Sequence, residues 1–119
     1  MDERILKWIF DIKIAIDEID SFIESNAKDF LKYKNNLMLK RAVERNLEIV
    51  GEALNRILKQ DANYQNKITN SKAIISLRNQ VIHSYDNISD ENIWAILTKH
   101  LPLLKSEIIV IINDAKRDE

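Results

Sequence analysis

Residues 78–85 read Arg-Asn-Gln-Val-Ile-His-Ser-Tyr and bring the side chains best suited to chemistry within eight positions. Only two histidines occur in the 119 residues, and one of them, His83, follows Arg78 by five positions and precedes Tyr85 by two. A fixed cation, a side chain that titrates near neutral pH and a phenol are thus gathered. Such a set suits chemistry on a phosphodiester, because arginine grips phosphate oxygens in a fork and histidine moves protons at physiological pH.

The helix that carries these residues constrains them. At about 100° per residue, Arg78 and Tyr85 are nearly eclipsed on an ideal helix, whereas His83 lies about 140° away from Arg78. The three converge only if the helix ends near His83 or if a second copy of the chain completes the site. Each residue also has a plain structural reading. His83 could bond a backbone carbonyl at a helix end, Arg78 could pair with Glu48 or Glu52, and the Tyr85 ring could pack on the bundle with its hydroxyl in water. His100 lacks such neighbours and is expected on the exposed face of the last helix.

Four helical stretches must position this segment. Ile5, Ile9, Ile12, Ile16, Ile19 and Ile23 alternate spacings of four and three, with Trp8, Ala15 and Phe22 beside them, so a helix is expected to about residue 25. Val43, Leu47, Val50, Leu54 and Ile57 repeat the rhythm in a second helix that starts between residues 31 and 37. Gly51 lies inside it, where glycine costs about 1 kcal/mol relative to alanine, and the close approach of another helix is the better explanation. Residues 61–70 are polar and read as a loop. A shorter helix from about Ser71 to His83 turns Ile74, Leu77 and Val81 inward. After a turn at residues 86–90, Ser89 or Asp90 caps a last helix bearing Ile93, Trp94, Leu97, Leu101, Leu104, Ile108 and Ile111. Pro102 should kink that helix, and residues 114–119 should fray. The fold class is therefore all-α, an antiparallel bundle of four main helices forming one domain over residues 1–119.

Composition narrows the function. One glycine and one proline disfavour turn-rich β folds, and one glycine leaves no phosphate-cradling glycine loop. The absence of cysteine removes disulfides, thiolate chemistry and cysteine zinc sites. No His-x-x-x-His or Glu-x-x-His pair suggests a metal, and no cofactor is expected. Charges interrupt every apolar run, so neither a signal peptide nor a membrane span is expected and a cytoplasmic location is the default. Residues 1–25 carry seven acids and three bases, while residues 26–60 carry eight bases and four acids. The basic stretch suits a polyanion or an acidic partner, but pairing with the acidic first segment is favoured, since charge runs are usually solvated faces.

Three blocks in order give the chain a family resemblance. Arg45-Asn46-Leu47-Glu48-Ile49-Val50-Gly51-Glu52-Ala53 is similar to a helix of the HepT-type toxins with HEPN domains. Arg78 to Tyr85 matches their Arg-x-x-x-x-His-x-Tyr signature at every specified position. Trp94 and Leu101-Pro102-Leu103-Leu104 resemble their last helix. The resemblance covers about residues 40–105; Ser84 stands where many relatives have glycine or alanine, and the 61–70 loop lacks their proline and tryptophan. It implies a HEPN-like homodimer whose two motifs share a cleft, and metal-independent RNA cleavage by a prokaryotic toxin. Arg78 would bind the scissile phosphate, His83 would transfer protons and Asn79 would support the site. The implied partner is a minimal nucleotidyltransferase, the MntA-like antitoxin, which transfers AMP to Tyr85. Phosphate charge beside Arg78 would then exclude RNA. The alternative is a non-catalytic helical subunit that docks the nucleotidyltransferase and presents nucleotide or RNA to it.

Overall fold

A computed structural model describes residues 2–26, 29–83 and 89–117, with the helix course alone for residues 80–83. All regular structure among the described residues is helical: α1 (Glu3–Asn26), α2 (Phe30–Lys34), α3 (Leu37–Gln60), a 3₁₀ turn (Ala62–Asn66), α4 (Ser71–His83), α5 (Asp90–Ala95), a π turn (Ile96–His100) and α6 (Leu101–Arg117).

The isoleucine seam of α1 does what its spacing requires. Ile5, Ile9, Ile12, Ile16 and Ile19 are buried against Val43, Leu47, Val50, Leu54 and Ile57 of α3 and the rest of the core. Each such side chain contributes about 1.5–3 kcal/mol on burial. Asp2 caps α1 by accepting from the Arg4 amide at 2.8 Å, and its other oxygen accepts from Gln60 at the far end of α3 at 3.3 Å. Midway, the buried Asn46 donates to the Ala15 carbonyl and to Glu18 at 3.3 and 3.2 Å. These contacts fix α1 and α3 as antiparallel neighbours in one register.

Caps set the remaining boundaries. Asn36 accepts from the Leu39 amide at 3.0 Å and starts α3, and Ser89 accepts from the Asn92 amide at 3.2 Å and starts α5. Asp29 accepts from the Lys32 amide at 2.9 Å and starts the short α2, which the hydrophobic pattern does not anticipate. Its Tyr33 is fully buried, with its ring centroid 5.3 Å from that of Trp94, so α2 is tied to α5 by aromatic packing. Burial, with help from Glu44 and Asp90, pushes the Tyr33 phenol well above its ordinary pKa.

Several expectations need correction. The polar stretch 61–70 is no simple loop: Asp61 accepts from the Asn63 amide at 3.0 Å, and a 3₁₀ turn follows that buries Tyr64, with Ile68 buried after it. Two apolar side chains among polar neighbours suffice to anchor it. α6 continues to Arg117, which pairs with Asp114 at 2.7 Å, so the frayed tail assigned to residues 114–119 does not begin at 114. At Pro102 the helix changes its winding. The Leu101 amide reaches back five residues to the Ile96 carbonyl, a wide turn at the point where proline lacks its own amide donor.

The charge pattern also resolves differently. The basic middle segment does not pair with the acidic first one among the described residues. Arg41, Arg45 and Arg56 pair with Glu44, Glu48 and Glu52 of their own helix, and Lys34 and Lys40 reach Glu91 and Asp90. The acids of α1 take Lys7 and Lys13 within α1, and Lys105 of α6 bridges Asp17 and Asp20 at 3.4 and 2.8 Å. Spacings of three and four residues place the three arginines of α3 beside acids of their own helix, and the lysines reach acids on neighbouring helices. No helix among the described residues is long and apolar enough to cross a membrane.

Candidate functional site

α4 is held by both its faces. Ile74 and Leu77 enter the core, and Ser71 is buried at its start. Just before it, the Thr69 amide and hydroxyl both donate to Glu107 of α6, at 3.0 and 2.8 Å to the same oxygen. The opposite flank lies across α3 at Gly51. A Cβ added there would meet the Arg78 side chain, 2.8 Å from Cγ and closer still to Cβ, and would lie 3.4 Å from the Ile74 carbonyl. The glycine thus permits the close helix approach expected of it, and the group that uses the space is the aliphatic stem of Arg78.

With its stem over Gly51, the Arg78 guanidinium meets the next residue of α3. Nη2 pairs with Glu52 Oε2 at 2.5 Å, and Nη1 donates to Asn79 Oδ1 at 3.0 Å. Nε is buried with no hydrogen-bond partner among the described residues. The other oxygen of Glu52 accepts from Arg56 Nε at 3.0 Å. One carboxylate therefore joins two arginines from two helices. This arrangement realises the ion pair with Glu52 that is the plain reading of Arg78, and sets the side chain in the wall of a groove. The groove, of about 280 Å³, lies between α1, α3 and α4 and is lined by Trp8, Arg45, Glu48, Ile49, Arg56 and Arg78 among others.

Of the residues singled out in the sequence, the structure joins Arg78 and Asn79. His83 is the last residue of α4, but its side chain and the whole of Tyr85 lie outside the described residues. The same holds for Ser84, for Val81's side chain and for the turn after Tyr85 as far as residue 88. His100 was expected on the exposed face of the last helix, and the structure corrects this. The residue is half-buried and lines a separate groove with Ala73, Ser76 and Leu77 of α4. The wide π turn over residues 96–100 shifts the phase of the helix there, which the heptad pattern does not register.

Trp8, Arg45 and Arg56 share the groove with Arg78, and the 78–85 motif by itself does not point to them. Arg45, Glu48, Glu52 and Arg56 recur at spacings of three and four along α3, flanking Gly51. That polar stripe beside a helical glycine was the available signal. Gly51→Ala tests the coupling. The methyl gains about 1 kcal/mol of helix propensity, but overpacking against the rigid root of a neighbouring side chain costs about 1–3 kcal/mol. We expect a lower melting temperature and, because α4 must move, a loss of about 10²-fold in any activity that depends on Arg78. Unchanged melting and activity in Gly51→Ala would show that the contact is slack.

Among the described residues, fold and site define a helical protein with an arginine, packed on a helical glycine, in the wall of a groove lined by charged and apolar side chains. A Ribonuclease HepT-like family profile matches residues 12–111, and the chain belongs to that family. It is 32% identical to the protein named putative RNase MJ1380 of Methanocaldococcus jannaschii, over 93% of this chain and all of that one. It is 30% identical to putative RNase MJ1216 of the same organism, over 100% of this chain and 98% of the relative. A bacterial relative, putative RNase TTE0752 of Caldanaerobacter subterraneus, is 32% identical over 75% of this chain and 76% of its own. No solved structure matches significantly.

Proposed function

We propose that the chain is a metal-independent endoribonuclease, the toxin of a prokaryotic toxin–antitoxin pair, acting as a homodimer on RNA. The observation that carries this reading is the complete Arg78, His83 and Tyr85 set in a HepT-like chain, with Arg78 lining a groove. In the reaction the ribose 2′-hydroxyl next to the scissile phosphate loses its proton and attacks phosphorus. The bond to the 5′-oxygen breaks, and that oxygen takes up a proton. Histidine suits both transfers, and a dimer brings two copies of His83 to one cleft. Arg78 neutralises charge on the non-bridging oxygens, and Asn79 holds the guanidinium from its Nη1 side.

Control falls to Tyr85. A partner nucleotidyltransferase transfers AMP from ATP to the phenolic oxygen and releases pyrophosphate. The adduct places a phosphate where the RNA phosphate must bind, so the modified toxin is silent. A second reading, the non-catalytic docking subunit, has one observation in its favour: Glu52 already engages Arg78 in the free chain.

A single experiment separates the two. Purified protein is incubated with single-stranded RNA in excess chelator, and its mass is measured by sedimentation under the same conditions. The nuclease reading expects cleavage to persist and the particle to have about twice the chain's 14.0 kDa. Cleavage that requires added magnesium overturns the mechanism, a 14.0 kDa particle that cleaves overturns the dimer, and RNA left intact at every condition favours the docking subunit.

A further inference from the structure

We propose that Glu52 occupies the seat of a substrate phosphate, and that Arg56 is a second phosphate ligand beside Arg78. The inference takes the identity of the polyanion, RNA, from the ribonuclease reading; the clamp itself rests on geometry. Glu52 receives Arg56 Nε on one oxygen at 3.0 Å and Arg78 Nη2 on the other at 2.5 Å. Guanidinium groups present the same fork to a carboxylate and to a phosphodiester, so an anion that bridges two of them marks a place where either fits. The other acids of the groove differ. Glu48 pairs with Arg45 and Asp11 with Lys7, so among the described residues Glu52 is the groove carboxylate shared by two arginines.

The exchange is balanced in charge. A phosphodiester carries one negative charge, as Glu52 does, and the two cations keep their partner count when one replaces the other. Glu52 is 35% exposed, so once displaced it turns into water and leaves no buried charge behind. The arginines are unequal. Arg78 is pinned over Gly51 and stays in place, whereas Arg56 is 56% exposed and can follow an arriving phosphate. Glu52 therefore acts as a built-in competitor that keeps the clamp closed to weak anions and sets the threshold for a polyanion.

The sign of one substitution decides between this role and simple positioning of Arg78. Binding of a single-stranded, fully 2′-O-methylated oligonucleotide is measured across a salt series, because that probe cannot be cleaved. Glu52→Gln, which keeps size and removes charge, is expected to bind about fivefold tighter at low salt. Arg56→Ala is expected to bind about fivefold more weakly, with the slope of log affinity against log salt falling by about 0.7, the value for one lost phosphate contact on a single strand. Weaker binding by Glu52→Gln would make Glu52 a positioning residue and overturn the proposal. So would an unchanged affinity and slope in Arg56→Ala, or failure of the unaltered protein to bind the probe. If Glu52→Gln does not fold, the exposed Arg56→Ala carries the test by itself. Cleavage of the matching unmodified RNA is assayed in parallel. Absence of cleavage alongside the expected binding pattern would defeat the nuclease reading and leave the clamp standing.

Discussion

His83→Ala is expected to lower RNA cleavage by about 10²–10⁴-fold, the range that a positioned proton-transfer group contributes. No other side chain in the signature titrates near neutral pH, so none can take over the transfer. Arg78→Ala is expected to fall by about 10²–10³-fold through loss of a charged donor to the developing phosphorane. It has a second effect that His83→Ala lacks, since it removes one of the two cations that Glu52 bridges. Arg78→Ala should therefore also weaken binding of an uncleavable strand. His83→Ala should leave that binding intact. His100→Ala is the control: it lines a different groove, with α4 and the π turn, and cleavage should stay within about twofold. Rates on one RNA, read with thermal melts of all three variants, check these outcomes. A folded His83→Ala that still cleaves at the parental rate would remove His83 from the mechanism.

The second large effect is silencing through Tyr85. Incubation with a cognate nucleotidyltransferase and ATP should add one AMP per chain, seen as an increase in intact mass that peptide mapping places on Tyr85. Cleavage should fall to background in step with the modified fraction. Physical exclusion explains why silencing should be complete: the adduct adds a phosphate charge and an adenosine to a site that must accept a phosphate chain. Tyr85→Phe keeps the ring, loses the acceptor oxygen and should remain active in the presence of the partner. In cells that carry both proteins it should be the more toxic form. An adduct on a different residue, or Tyr85→Phe silenced as well as the parent, would dismiss this regulatory role.

Much of this molecule was legible in its residues. The isoleucine ladder of α1 and the Val43–Ile57 stripe of α3 specify long amphipathic helices because a 3.6-residue period leaves only one face to bury. The polar cap at Ser89 marks a start for a local reason, since amide groups of a first turn need an acceptor, whereas the Asn36 cap fell within the 31–37 interval that the hydrophobic pattern left open. The chemistry-bearing residues Arg78, His83 and Tyr85 were visible because they sit close together in the chain. Gly51 stood out because a glycine inside a strong helix needs a reason.

Tertiary structure decided what met what. Trp8, Arg56 and Arg78 line one groove although they are far apart in sequence, because α1 and α4 flank α3 near Gly51. The choice of Glu52 over Glu48 as the partner of Arg78 followed from the same crossing: the stem lies over Gly51, so the fork reaches its immediate neighbour. His100 moved from an expected outer face to a groove because a π turn altered the helical phase ahead of Pro102. Period and capping are local properties of the chain. The meeting of Arg56 and Arg78 on one carboxylate is a property of how closely two helices can pack, and a missing methyl group at Gly51 set that distance.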